Sequence, residues 1–132
     1  MVIIDTDLKN LVENAIIAFS TVSADGIPNT IAVACAKVVS PNQVLITDNF
    51  FNKTRQNLLH NQHVSLAVWN TEQSLEGSGY QLKGIAQVLT SGKYKEQVDQ
   101  LDCNQGLAHK AAILVTVSEI WDLAEPHLVC RQ

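Results

Sequence analysis

The chain has little cysteine: Cys35, Cys103 and Cys130 are its only three, with no CxxC pair and no metal-ligand spacing. An odd count of this kind argues against a disulfide framework or a bound metal, and predicts three free thiols in a reducing, cytoplasmic setting. Cys35 reads as a small apolar residue on a strand. The opening segment, MVIIDTDLKNLVENA, has neither a basic n-region nor an uninterrupted apolar run, so neither a secretion signal nor a membrane span is expected. No GxGxxG follows a strand, which leaves a Rossmann dinucleotide site unsupported, and no GxxxxGK[ST] loop is present. No Ser or Cys sits in an elbow motif, so no catalytic residue is assigned. Repeats, linkers and low-complexity segments are absent. The formal net charge is −4, and a chain of that balance lacks the broad basic footprint of a nucleic-acid binder.

What is present fits one domain over residues 1–132, with 46% hydrophobic and 17% charged residues. Asp5 or Thr6 can cap a first helix in which Leu8, Leu11, Val12 and Ala15 keep helical spacing. Residues 15–23 and 29–39 read as strands joined by a turn at Asp25-Gly26. The second of these ends at the Ser40-Pro41-Asn42 turn. Further strands are expected over 43–48, 63–69, 80–90 and 111–123, with Gly84 marking a bend or bulge. A polar loop is expected over 71–79, and residues 92–103 suit a helix with Tyr94, Val98 and Leu101 inward. Six strands with tight turns and three short helices predict a mainly β, α+β fold. The expected form is a small antiparallel barrel, because the helices are too few and too irregular for βαβ crossovers.

The segment TDNFFNKTRQNLL (47–59) carries the clearest chemical signal. Asn52 is a good N-cap residue, yet Lys53 and Arg55 follow in the first turn, where the helix dipole disfavours cations by about 0.3–1 kcal/mol each. Two cations beside the Thr54 hydroxyl make sense if an anion is held at that helix end. No Asp or Glu occurs between Asn49 and Thr71 in an otherwise acidic chain. The turn therefore reads as a phosphate site. No general base or nucleophile accompanies it, which points to a bound cofactor that carries the chemistry itself. His60 and His63 are three apart, but one closes a helix and the other opens a strand, so they do not share a metal-binding face. Trp69 and Trp121 each follow an apolar strand, where they are core or wall a flat ligand or a subunit contact.

Three segments carry a resemblance. AFSTVSADGIPNTIAVACAKVV looks like a strand-DG-x-P-strand hairpin, ITDNFFNKTRQNLLHNQHVSLAVW holds a KT-x-x-NL element between strands, and GYQLKGIAQVL pairs a Gly-aromatic start with Lys-Gly. In this order and spacing they resemble the pyridoxamine 5′-phosphate oxidase-like, FMN-binding split-barrel proteins, especially short single-domain members. The resemblance implies a six-stranded antiparallel split barrel that forms a homodimer, with FMN in a groove at the subunit interface. It implies that Lys53 and Thr54 hold the FMN phosphate and that Asn57 braces the turn. Thr30, Ile31 and Ala32, with Thr47, Asp48 and Asn49, would line the ribityl chain and isoalloxazine. The small Ala32 and Ala34 imply backbone rather than side-chain bonds to the ring edge. The tail AEPHLVCRQ (124–132) departs from the family's Gly/Pro-rich ending, and no residues match those that bind the vitamin B6 substrate.

These readings predict an FMN-binding flavoprotein acting in electron transfer, or as an oxidoreductase on a redox partner protein or small molecule. The alternative is a non-enzymatic ligand-binding or regulatory module that has lost flavin. A deazaflavin or heme is a third reading, disfavoured by the acidic balance and by the lack of a placed axial histidine.

Overall fold

The computed structural model describes residues 2–70, 79–123 and 127–131. Helix α1 (Thr6–Asn14) starts where Asp5 accepts a hydrogen bond from the Leu8 amide at 2.9 Å, and it buries Leu8 and Val12. Strand β1 (Ile17–Val22) turns into β2 (Pro28–Val33) through Gly26, whose φ of +81° suits glycine. Then follow β3 (Lys37–Ser40), β4 (Gln43–Asp48), helix α2 (Lys53–His60) and β5 (His63–Trp69). Next come β6 (Gly79–Leu89), α3 (Lys93–Gln100), a 3-10 turn (Asp102–Asn104), β7 (Ala111–Asp122) and β8 (His127–Arg131). The expected polar loop over 71–79 lies, but for Gly79, outside the described residues. No helix among the described residues is long and apolar enough to cross a membrane.

All strand pairs are antiparallel, in the order β2-β1-β5-β6-β7-β4-β3, with β8 beside β7. This is the antiparallel split barrel that the resemblance implies, with eight strands among the described residues in place of six. One added strand arises where the expected strand 29–39 breaks. Cys35 takes φ +68° between β2 and β3, a left-handed conformation that cannot continue a pleat. Alternation of small apolar residues runs through the break, so periodicity alone hides it. The other is β8, which lies in the C-terminal tail and pairs Cys130 with Ile120.

Strand β4 is buried on both faces. Val44 and Ile46 face the main core with Phe19, Leu66, Leu82 and Val115. Leu45 faces a smaller cluster in which α3 supplies Val98, with Tyr94 partly buried beside it. Strand β6 shifts register between Lys83 and Gly84. A Cβ on Gly84 would overlap the Thr116 carbonyl oxygen, so the bulge requires glycine there. This sheet sets the end of β4 and the start of α2 against the open edge of β2. Among the described residues, β2 has a strand partner only on its β1 side.

Candidate functional site

Between that edge, the β4–α2 turn and the Asp102–Asn104 turn lies a cavity of about 570 Å³. Its size is within the usual range of small-molecule sites, about 300–1,000 Å³. Ile31, Ala32 and Ala34 form one apolar wall. Phe50 and Leu107 stand at the rim, exposed at 74% and 38%. Apolar rings left in water beside a cavity are available to a flat ligand or to another surface.

The polar end of the cavity is the start of α2. Asn52 was expected to cap this helix, but its side chain makes no cap bond to a first-turn amide. Its Oδ1 instead accepts from Gln56 Nε2 at 3.4 Å. The first-turn amides are therefore left without a side-chain acceptor, and no acidic residue occupies that turn. Thr54 is buried, and its Oγ1 accepts from Asn29 Nδ2 at 3.3 Å, so the hydroxyl proton is free to donate. Lys53 is exposed at the same corner, and among the described residues its ammonium has no partner. An ammonium, a hydroxyl and open amides at the positive end of a helix form a donor set suited to an anion.

Asp48 and Arg55 are placed otherwise than expected. The Asp48 side chain is fully buried and lies outside the cavity lining. Its Oδ1 accepts from the Phe51 amide at 3.0 Å, which fixes the turn, and Phe51 packs near Phe19. Its Oδ2 takes Arg55 Nε at 2.6 Å and lies 2.6 Å from Nη2. Both nitrogens converge on one oxygen, so the Nη2 contact is an ion pair without hydrogen-bond geometry, and Nη2 has no other partner. The hydrogen bond to Asp48, with its charge, raises the Arg55 pKa above its ordinary value against the opposing effect of burial. Arg55 is therefore neutralised within the protein, and Lys53 alone supplies free charge at the helix start.

Among the other expected site residues, Ile31, Ala32, Thr47, Asn49, Lys53 and Thr54 line the cavity. Thr30 and Asn57 do not. The exposed Thr30 shares a 2.8 Å hydrogen bond with Ser20 on the neighbouring strand. Asn57 is buried and donates to Thr21 Oγ1 at 2.9 Å, pinning α2 to β1. Both side chains lie outside the cavity lining.

Two features escaped the sequence reading. Asn104 is fully buried; its Nδ2 donates to Thr47 Oγ1 and the Val98 carbonyl, both at 2.8 Å, and its Oδ1 accepts from Asn49 Nδ2 at 3.2 Å. Asn49 Oδ1 in turn accepts from the His109 amide at 2.8 Å. This network ties the end of β4 to the segment after α3, and a lone Asn in a short polar turn gives no sequence signal. The second feature is a disulfide between Cys35 and Cys103, both on the cavity wall. It corrects the expectation of three free thiols and the reading of Cys35 as a strand residue. Only Cys130 is free. The pairing was hidden because the partners are 68 residues apart and become neighbours only through the fold.

The cavity combines an apolar wall at Ile31, Ala32 and Ala34 with a donor-rich corner suited to an anion, a lining whose residue types fit FMN. Among the described residues no histidine lines it, and both ring nitrogens of His109 are engaged, by Asp99 at 3.1 Å and by the Asn104 carbonyl at 3.0 Å. No group of three or more metal-ligating side chains occurs among the described residues.

Comparison with known proteins bears on this arrangement. The family described as pyridoxamine 5′-phosphate oxidase matches residues 5–124. Over 121 residues the chain is 34% identical to an uncharacterized protein of Methanocaldococcus jannaschii, covering 89% of this chain and 78% of that protein. Its fold is similar to that of HupZ from Group A Streptococcus, with 24% identity, a TM-score of 0.84, and 96% and 98% of the two chains covered. It is also similar to an FMN-binding protein of Syntrophomonas wolfei subsp. wolfei, with 16% identity, a TM-score of 0.73 and coverage of 91% and 88%. HutZ, a heme storage protein of Vibrio cholerae, matches with 14% identity, a TM-score of 0.68 and coverage of 90% and 94%.

Proposed function

Because this chain belongs to the pyridoxamine 5′-phosphate oxidase-like split-barrel family, we propose that it is a single-domain FMN-binding flavoprotein. It acts in electron transfer, or as an oxidoreductase on a redox partner protein or a small molecule. The observation that carries this reading is the uncapped start of α2, where Lys53, without a partner among the described residues, and the buried Thr54 hydroxyl meet a cavity with an apolar wall at Ile31, Ala32 and Ala34. Lys53, Thr54 and the first-turn amides would hold the phosphate. Thr47 and Asn49 would meet the ribityl hydroxyls, with Asn104 holding both side chains in place. Ile31, Ala32 and Phe50 would exclude water from the ring, and the open backbone edge of β2 would offer it hydrogen bonds. Bound FMN supplies one- and two-electron redox chemistry. The protein contributes binding, orientation and the exclusion of water.

The cavity is open, and its rim carries the exposed Phe50 and Leu107. This supports a homodimer in which a second copy covers the ring, in keeping with the isologous contacts of most dimers. The cytoplasmic placement loses the argument from free thiols, since Cys35 and Cys103 are bridged; neither nucleic acid nor membrane is proposed as a partner. Among the described residues no histidine lines the cavity, which favours flavin over heme. The test is reconstitution of flavin-free protein with FMN, followed by reduction with nicotinamide cofactors or dithionite. Visible flavin bands that remain with the protein through gel filtration support the reading. A chain that binds no FMN overturns it and leaves a ligand-binding module without flavin.

A further inference from the structure

We propose that the Cys35–Cys103 bridge is a redox-active site on the cavity wall, one that exchanges with dithiols rather than serving as a permanent staple. Its position is the first argument. A bridge built only for stability is best shielded, but here Cys103 is exposed and Cys35 half-buried, and both face the cavity. The second is redundancy. The Asp102–Asn104 turn is already anchored by the buried Asn104, which binds Thr47, Asn49 and Val98. The fold around the bridge therefore keeps its hold when the bridge opens. The third is backbone conformation: Cys35 is held at φ +68°, where few residues with a side chain settle.

Exposure selects Cys103 as the sulfur attacked. A thiolate of the dithiol bonds to Cys103 Sγ, the Cys35–Cys103 bond breaks, and Cys35 leaves as a thiolate that takes a proton from water. The dithiol's second thiolate then attacks its own sulfur in the mixed disulfide and releases Cys103, which is protonated in turn. Two electrons pass from the dithiol, which ends as a disulfide, to the protein pair, which ends as two thiols. Opening removes the covalent tie between the β2–β3 connection and the Asp102–Asn104 turn. The wall at Leu107 is loosened while Asn104 keeps its base in place. The consequence for ligand affinity rests on the reading of the cavity as the FMN site; the exchange chemistry does not.

Flavin-free, full-length protein equilibrated in graded mixtures of reduced and oxidised dithiothreitol, acid-quenched, alkylated and weighed by mass spectrometry tests the exchange. One alkylated cysteine at the oxidising end and three at the reducing end, through a reversible two-electron transition with unchanged circular dichroism, supports it. A bridge that opens only when urea unfolds the chain overturns it, as does a chain with three thiols at every ratio. FMN titrated into the two forms should then bind with dissociation constants differing about fivefold or more. Equal constants overturn the link to the cavity. A chain that exchanges in this way but binds no FMN in either form retains the exchange site and refutes the flavin reading instead.

Discussion

Replacing Lys53 by alanine separates a phosphate contact from a solvated helix start. In the structure Lys53 is exposed and unpartnered, so truncation strands no buried group, and stability should stay within about 0.5 kcal/mol. What is lost is one charge-assisted contact to a phosphate dianion. Hydrogen bonds to charged groups contribute about 1.5–3 kcal/mol, and an exposed ammonium belongs at the lower end because water screens it. The FMN dissociation constant should therefore rise about tenfold. Thr54→Ala should cost less affinity, since the open amides remain. Riboflavin, which has no phosphate, should bind weakly and equally to both proteins. Arg55→Ala provides the contrast. Arg55 is committed to the buried Asp48 carboxylate, and stranding such a charge costs about 3–5 kcal/mol, toward the low end here because Arg55 is a third exposed. It should lower urea stability and leave the affinity of the folded fraction nearly unchanged. Isothermal titration with FMN and riboflavin, alongside urea unfolding, reads all of these effects. If Lys53→Ala weakened both flavins equally, or left FMN untouched, the reasoning from the uncapped helix would be wrong.

Gly84→Ala should destabilise the fold by more than about 3 kcal/mol, because the new methyl meets the Thr116 backbone rather than a flexible side chain; an unshifted urea midpoint would contradict the bulge. Asp99 lies 2.6 Å from Lys95 and 3.1 Å from His109. The Lys95 hydrogen bond, aided by His109, lowers its pKa below the ordinary 3.8. A lowered carboxylate pKa contributes stability above the unfolded value, and that contribution is lost as pH falls through the folded one. Asp99→Asn should therefore flatten the decline in thermal stability below about pH 4, and an unchanged acid limb would refute the pairing. Sedimentation should find a homodimer at micromolar concentration, and Phe50→Asp should shift it toward monomer; a wild-type monomer with FMN bound would refute the covered-ring reading.

Features written in neighbouring residues were legible before the fold was known. The α1 cap at Asp5, the Asp25-Gly26 turn, the apolar strands β4 and β5 and the Gly84 bulge each follow from local backbone preferences or from the period of a short segment. So does the start of a helix bearing Lys53 and Thr54, because a misplaced cation is a local signal. What long-range packing decided was not legible. Cys35 leaves the strand period to meet Cys103, 68 residues away, and no spacing rule reaches that far. Arg55 looked like a second phosphate cation until folding set it against Asp48, which left the cavity to become a buried partner. Asn104 has no sequence pattern of its own, because its importance lies in three acceptors and donors brought together from the end of β4, the residue after it and α3. The physical reason is common to all three. Local propensity acts through a residue's own backbone and its neighbours within a turn or two, whereas the pairing of charges, amides and thiols depends on which surfaces the hydrophobic core draws together.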